Sequence, residues 1–295
     1  MSSEKRVLVT GAAGFIGRAV VRSLVRKGLS VVGTSVSGRS VPDADMHSLD
    51  LMQGAQVEDF ARRIGTFGTI VHAAADVPFA FTARDSERAL FANIAMTTNV
   101  GSLLRSKGRL VYISSSSVYG SYNEDRGPRP NNLYSVSKLA GEHIARVAAS
   151  VLDGGAVSLR ISAPYGVGQP HRTVLQTFVE RAVAGAPLEY FGTGSRTQDF
   201  THVDDVADAV VCACERGEGE YDISGGRPIG MRMLGELVVA TVGRPGARVQ
   251  PAGIPDPQEH FRVNLTLKRA AEDLLFSPLR QLEDGIRELA ASVGR

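Results

Sequence analysis

The run Thr10-Gly11-Ala12-Ala13-Gly14-Phe15-Ile16-Gly17 constrains this chain more than any other stretch. It sets glycines at a G-x-x-G-x-x-G spacing between a short apolar run, Val7-Leu8-Val9, and a segment of helical apolar spacing, Phe15 to Arg26. Glycine backbone turns tightly and lets a pyrophosphate come close, and a helix N-terminus offers unpaired N–H groups and the positive end of its dipole. A strand before and a helix after are the context in which such a turn binds a dinucleotide rather than merely reversing the chain. No Gly-Lys-Ser/Thr follows, so the turn is not a P-loop. Gly11, Gly14, Phe15, Ile16 and Gly17 are the first candidate cofactor contacts.

From there short apolar runs and helical stretches alternate, the pattern of a parallel sheet with crossover helices. Strands are expected at Val7–Val9, Ser30–Thr34, Thr69–His72, Leu110–Ser114 and Val157–Ile161, and helices over Phe15–Arg26, Arg84–Ser106 and Leu133–Val151. After Ser162 come loops with Pro164, Gly166, Gly168 and Pro170, then a helix near Val174–Ala184 and short strands around Leu188–Phe191 and Asp199–His202. A helix over Val203–Arg216 and a final amphipathic one over Gln281–Val293 follow, while Gly243–Pro257, with four prolines and three glycines, reads as loop. The expected fold class is α/β, a Rossmann-type doubly wound parallel sheet in residues 1–162 with contributions from about 199–224. Residues 163–295 are expected to form a smaller, mainly substrate-binding portion over the carboxyl ends of the strands, where ligands of open α/β sheets sit.

Composition narrows the classes. Lys plus Arg total 33 against 31 Asp plus Glu, a formal charge of +2, which leaves no footprint for nucleic acid or an anionic membrane. The opening Met1 to Arg6 leads into only three apolar residues before Thr10, unlike a signal peptide. No apolar run approaches the ~18 residues of a membrane span. Cys212 and Cys214 sit two apart in a helical run, so their side chains diverge; they fit a reducing cytoplasm rather than a disulfide or zinc framework. His202 with Asp204 and Asp205 suggests a metal set, but acids at a helix start serve as caps, and no metal is expected.

TGAAGFIG together with Tyr134-Ser135-Val136-Ser137-Lys138 (YxxxK) resembles the extended short-chain dehydrogenase/reductase family. More closely it resembles the NAD-dependent epimerase/dehydratase branch, which acts mainly on nucleotide sugars. The likeness runs through nearly the whole chain. His72-Ala73-Ala74-Ala75 is similar to the family's strand-end cofactor motif, Asn93 with Thr97 to its helix motif, and Ser114 to Gly120 to its catalytic-serine loop. Arg160 to Gly166 and Gly192 to Phe200 are similar to its substrate-side segments. By this resemblance Ala73, Ala74, Ala75, Ile161 and the adenine-side Asp50 and Leu51 join the cofactor contacts, with Tyr134 and Lys138.

Tyr134 and Lys138 are spaced i, i+4 and share a helix face. A free phenol titrates near ~10, and a neighbouring ammonium favours its ionised form. Tyr134 can then take a proton from a sugar hydroxyl, or return one as acid, while Lys138 also holds the nicotinamide ribose. The family's catalytic Ser/Thr lies four before the tyrosine of Val118-Tyr119-Gly120, which is Ser115; Ser114 and Ser116 stay open as alternatives. Dehydratases of the family carry Asp-Glu directly after that position, and decarboxylases a Glu at the second one. Here Ser116 and Ser117 stand there, so dehydration and decarboxylation are disfavoured.

What remains is an NAD(P)-dependent sugar-nucleotide epimerase, working through a transient ketone. The alternative is an NADPH-dependent ketoreductase that finishes a keto-sugar. A cofactor-binding regulator ranks below both, since Tyr134 and Lys138 are intact. NAD-selective members place an acid at the end of the second strand; here stands Ser35, followed by Ser37 and Arg39, which leans the cofactor slightly to NADP. On the substrate side Ala163 replaces an asparagine and Gln198 an arginine of the family pattern. With Ser116 these are the candidate substrate contacts, and Arg172, Arg181 and Arg196 are the candidates to compensate. The resemblance also implies a homodimer paired through two helices beside the sheet.

Overall fold

The computed structural model describes residues 6–78, 83–120 and 127–293; the opening stretch Met1–Lys5 lies outside them. Successive residues of a strand face opposite sides of its sheet. Val7 and Val9 accordingly turn to one core and Leu8 to another, and all three are buried. Burial on both faces is the mark of a parallel sheet covered by helices. The strands are β1 (Arg6–Thr10), β2 (Ser30–Ser35), β3 (Ala44–Ser48), β4 (Phe67–His72), β5 (Leu104–Ser115), β6 (Gly155–Ile161), β7 (Pro164–Tyr165), β8 (Leu188–Tyr190), β9 (Thr197–Gln198), β10 (Thr201–His202), β11 (Gly219–Ile223), β12 (Ile229–Gly230) and β13 (Val249–Pro251). The helices are α1 (Phe15–Arg26), α2 (Gly54–Ile64), α3 (Ala83–Val100), α4 (Leu133–Ser150), α5 (Val174–Val183), α6 (Val203–Glu215), α7 (Met231–Val242) and α8 (Leu282–Ser292).

Seven strands form one sheet in the order β11-β6-β5-β4-β1-β2-β3, with every neighbouring pair parallel. The strand order reverses between β1 and β4, the switch point at which an open α/β sheet leaves a crevice. The expected Rossmann-type class is what the chain adopts. Helices α1 and α6 cover the face of Val9, Val111 and Ile113. Helices α2 and α4 cover the face of Leu8, Leu110 and Tyr112, and α3 lies against α4. A separate core of Phe178, Leu234 and Ile286 joins α5, α7 and α8.

Helix α4 carries the Tyr–Lys pair. Its N-cap Asn132 accepts from the Ser135 N–H at 2.9 Å, which fixes where the helix begins. A Cβ on Gly141 would stand 2.1 Å from the Tyr112 hydroxyl oxygen, so α4 approaches β5 as only glycine permits. Behind it a buried ionic cluster ties helix to sheet. Arg160 grips Glu142 through Nη2–Oε2 at 2.7 Å and Nε–Oε1 at 2.9 Å, and the Ser114 hydroxyl donates to Oε1 at 2.6 Å. Arg160 Nη1 also donates to the Tyr119 hydroxyl at 2.8 Å, and that hydroxyl donates to Asp222 at 3.0 Å.

Several expectations are corrected. The helix expected over Arg84–Ser106 stops at Val100, because Leu104 already pairs with Phe67 and opens β5. The expected strand Asp199–His202 splits into β9 and β10 around buried Asp199 and Phe200. Strand β3 is a half-exposed sheet edge spelled Ala-Asp-Met-His-Ser, so no apolar run marks it. Helices α2 and α7 add to the expected set, and β13 pairs with β8 inside the stretch read as loop. His202 caps α6, its Nδ1 accepting from the Asp204 N–H at 3.2 Å, while Asp205 accepts from the Leu279 and Arg280 N–H groups. Cys212 and Cys214 are both free, and among the described residues no His/Cys/Asp/Glu group forms a metal set. No described helix is long and apolar enough to cross a membrane.

Arg160 and Glu142 are 11% and 1% exposed, so removing one strands the other's charge in the interior. Arg160→Leu is expected to lower stability by about 3–5 kcal/mol, read as a fall in the urea midpoint at unchanged slope.

Candidate active site

The glycine turn leaves β1 and opens α1. Gly14 caps that helix, no side chain bonds its first turn, and no acid stands there. Its leading N–H groups are therefore left for an anion. Gly11 has φ +64°, and a Cβ there would lie 2.7 Å from the backbone of Ala74. A side chain would both strain the turn and fill the cradle.

Two cavities meet at this turn, both lined by Gly11, Gly14, Ala73 and Ala75. The larger, of about 680 Å³, is also lined by Phe15, Ile16, Gly17, Ser115, Tyr134, Lys138 and Ile161. The smaller, of about 400 Å³, adds Ser35, Asp50, Leu51 and Ala74. A trough with the glycine turn at its middle suits a dinucleotide: pyrophosphate on the turn, one nucleoside on either side. Ala163 and Gln198 line a further recess of about 380 Å³. Two expected contacts are not brought in. Arg39 lies beyond the turn that closes at Gly38, is exposed and lines neither part of the trough. Ser116 begins a turn of 3₁₀ helix and is 1% exposed, outside the lining of the larger cavity.

The walls are held by buried polar groups. The His72 ring sits between Thr10 Oγ1 at 2.7 Å and Thr97 Oγ1 at 3.2 Å, and burial, with Lys138 near, pushes its pKa down to about 3, so it stays neutral. Thr10 Oγ1 accepts from the Ala74 N–H at 3.2 Å, which joins the strand-end motif to the glycine turn. Asn93 Oδ1 accepts from the Asp76 N–H at 2.7 Å, and its Nδ2 donates to Asp76 O and Ser137 Oγ, both at 3.0 Å. Ser137 in turn donates to Tyr134 O at 2.7 Å. Asn93 thereby fixes the cavity wall relative to the start of α4.

Lys138 donates to Ile113 O at 2.8 Å, and its Nζ lies 5.9 Å from the centre of the Tyr134 ring. Burial lowers its pKa from 10.5 to about 8, with Glu142 opposing the fall. Ser115 ends β5 and accepts from the Ser117 N–H at 3.2 Å. The Ser116 and Ser117 hydroxyls are buried and have no hydrogen-bond partner among the described residues.

A dinucleotide trough with a tyrosine and a buried lysine on one wall belongs to nicotinamide-dependent enzymes of the Rossmann type. Within that class, residues 7–224 match the NAD dependent epimerase/dehydratase family. The chain belongs to this family and is an enzyme of the extended short-chain dehydrogenase/reductase class. It is 27% identical to the dTDP-4-dehydro-6-deoxyglucose reductase of Escherichia coli, over 97% of each chain. It is 30% identical to the UDP-glucose 4-epimerase of Mycolicibacterium smegmatis, over 95% of this chain and 96% of that one. Among solved structures it resembles the UDP-glucose 4-epimerase of Thermus thermophilus in complex with NAD, with a TM-score of 0.81, 26% identity, and 97% and 98% of the two chains covered.

Because its folded pKa is lowered, Lys138 weighs against the fold in full below about pH 8 and progressively less as the pH rises toward 10.5. Lys138→Met is therefore expected to melt above the wild type at pH 7 in the cofactor-free protein. That gain narrows above pH 8, as thermal melts across the alkaline range would record.

Proposed function

We propose that this enzyme is a sugar-nucleotide epimerase that oxidises a ring hydroxyl to a transient ketone and reduces it again on the opposite face. One observation carries the reading. Tyr134, Lys138 and Ser115 share a cavity with the glycine turn, and among the described residues that line it Asp76 is the one acid. Asp76 is already engaged by Arg88 at 2.8 Å. Tyr134 takes the proton of the substrate hydroxyl and later returns one. The Ser115 hydroxyl bonds the same oxygen as its charge changes. The Lys138 ammonium lies close enough to favour the phenolate and to hold a ribose hydroxyl. The nicotinamide, when bound, supplies the hydride acceptor and donor. The two positions directly after Ser115 carry hydroxyls, which have neither the acidity to expel water nor the basicity to assist decarboxylation.

The relatives support a nucleotide sugar as substrate class, since they include UDP-glucose 4-epimerases and a dTDP-keto-sugar reductase. One observation favours the second reading, an NADPH-dependent ketoreductase. Ser35 borders the adenosine cavity at the end of β2, so the position from which an acid would repel a 2′-phosphate carries a hydroxyl instead, while Asp50 lines the same cavity. The proposal includes a cytoplasmic homodimer paired through α3 and α4, which expose Phe91 and Val147.

Denaturing the purified enzyme and identifying any released dinucleotide separates the two readings. Retained NAD is the expected result, since a hydride borrowed and returned needs no exchange of cofactor. An empty site preferring NADPH transfers the proposal to the ketoreductase, and binding of neither overturns both. Tyr134→Phe is expected to lower turnover by about 10²–10⁴-fold while dinucleotide affinity is kept.

A further inference from the structure

The recess of about 380 Å³ shares Pro164, Gln169 and Thr173 with the catalytic cavity, so the two adjoin along that wall. Its walls are largely neutral, with Tyr165, Val174, Phe200 and Gln198 among them. Arg196 is the one charged side chain among the described residues that line it. The other candidate arginines are occupied elsewhere. Arg172 borders the larger cavity rather than this recess, pairs with Glu180 and is 63% exposed, and Arg181 turns to Pro187 O and Glu189.

Arg196 is held from behind. Its Nε bonds Asp256 Oδ2 at 2.9 Å, and its Nη1 donates to Gln258 Oε1 at 3.2 Å. The Arg196 side chain is 18% exposed and that of Asp256 only 4%. Asp256 is itself anchored, its Oδ1 accepting from the Gln258 N–H at 2.8 Å. The same segment straps the β9 approach at further points: Glu259 accepts from Thr193 and Ser195, and Thr197 Oγ1 accepts from the Val263 N–H at 2.8 Å. Two guanidinium nitrogens are thus spent on the protein, and Nη2 has no hydrogen-bond partner among the described residues.

We propose that Arg196, oriented by Asp256, recognises the diphosphate of the substrate in this recess. The inference rests on the nucleotide-sugar reading above and gives it a residue that stands two places from the arginine-to-glutamine departure at Gln198. A guanidinium donates directionally to phosphate oxygens, and one that is already fixed loses less side-chain freedom on binding. Asp256 cancels the net charge of Arg196, so recognition here works through directed hydrogen bonds more than through bulk attraction. Asp256 is a positioning residue, and the sign of its substitution distinguishes that role from a purely electrostatic one.

Calorimetric binding of UDP and dTDP, each against its nucleoside, tests this on the wild type, Arg196→Gln, Arg196→Lys and Asp256→Asn. NAD binding by each variant serves as the check on folding. Arg196→Gln is expected to weaken diphosphate binding about tenfold or more and to leave nucleoside binding alone; Arg196→Lys restores only part. Asp256→Asn is expected to weaken diphosphate binding several-fold, although it makes the recess more positive. Unchanged affinity in Arg196→Gln overturns the proposal, and tighter binding in Asp256→Asn overturns the positioning role. A wild type that binds NAD but neither diphosphate removes the nucleotide-sugar reading with it. Diphosphate binding indifferent to Arg196 leaves that reading standing.

Discussion

The site depends on how closely α4 lies against β5. At Gly141 the Tyr112 hydroxyl occupies the space a side chain would take. That approach brings Lys138, one helical turn earlier, to within 2.8 Å of Ile113 O, and presents Tyr134 a further turn along at the cavity wall. Any larger residue at 141 lifts the helix, and the lysine and tyrosine move together because one rigid element carries both. The same packing also accounts for the electrostatics: an ammonium pressed onto a sheet is a desolvated ammonium.

Two buried cations lie near one carboxylate, and they are treated unequally. Glu142 is committed to Arg160 through both oxygens and takes a third bond from Ser114. Arg160 thereby remains charged at every relevant pH. Lys138 keeps a backbone carbonyl as its hydrogen-bond acceptor, and burial lowers its pKa to about 8. Had Glu142 turned to Lys138 instead, the ammonium would be pinned and Arg160 stranded. The structural pair and the chemically labile group are separated by which side of the carboxylate each approaches.

Strand periodicity explains what could be read from the residues and what could not. The glycine turn, the Tyr134–Lys138 spacing and the long apolar strands each carry a local signal, so their places follow from short windows of sequence. Arg160 lies within a segment expected on the substrate side, yet it faces α4, while its neighbour Ile161 reaches the cavity. Alternation along β6 assigns that difference, because Val157, Leu159 and Ile161 share one core. Strand β3 lacked an apolar signal since it is a sheet edge, whereas α2 and α7 carried theirs in pairs such as Val57 with Phe60 and Leu234 with Val238. Asp256 had no local signal. A proline-rich stretch says nothing of a carboxylate that matters only through a partner 60 residues away.

Under the epimerase reading, the proton machinery is fixed to one wall and both faces of a ring must meet it in turn. The substrate therefore moves while the protein stays still, which requires a hold at a point remote from the reacting carbon. The recess around Arg196 adjoins the catalytic cavity but is lined by neither Tyr134 nor Ser115, and its charged donor is fixed while its walls are mostly neutral. An anchor of that kind restrains a phosphate without gripping the sugar. Hydroxyls rather than carboxylic acids at 116 and 117, directly after Ser115, fit the same requirement, since an ionised group at those positions would favour one ring orientation over the other.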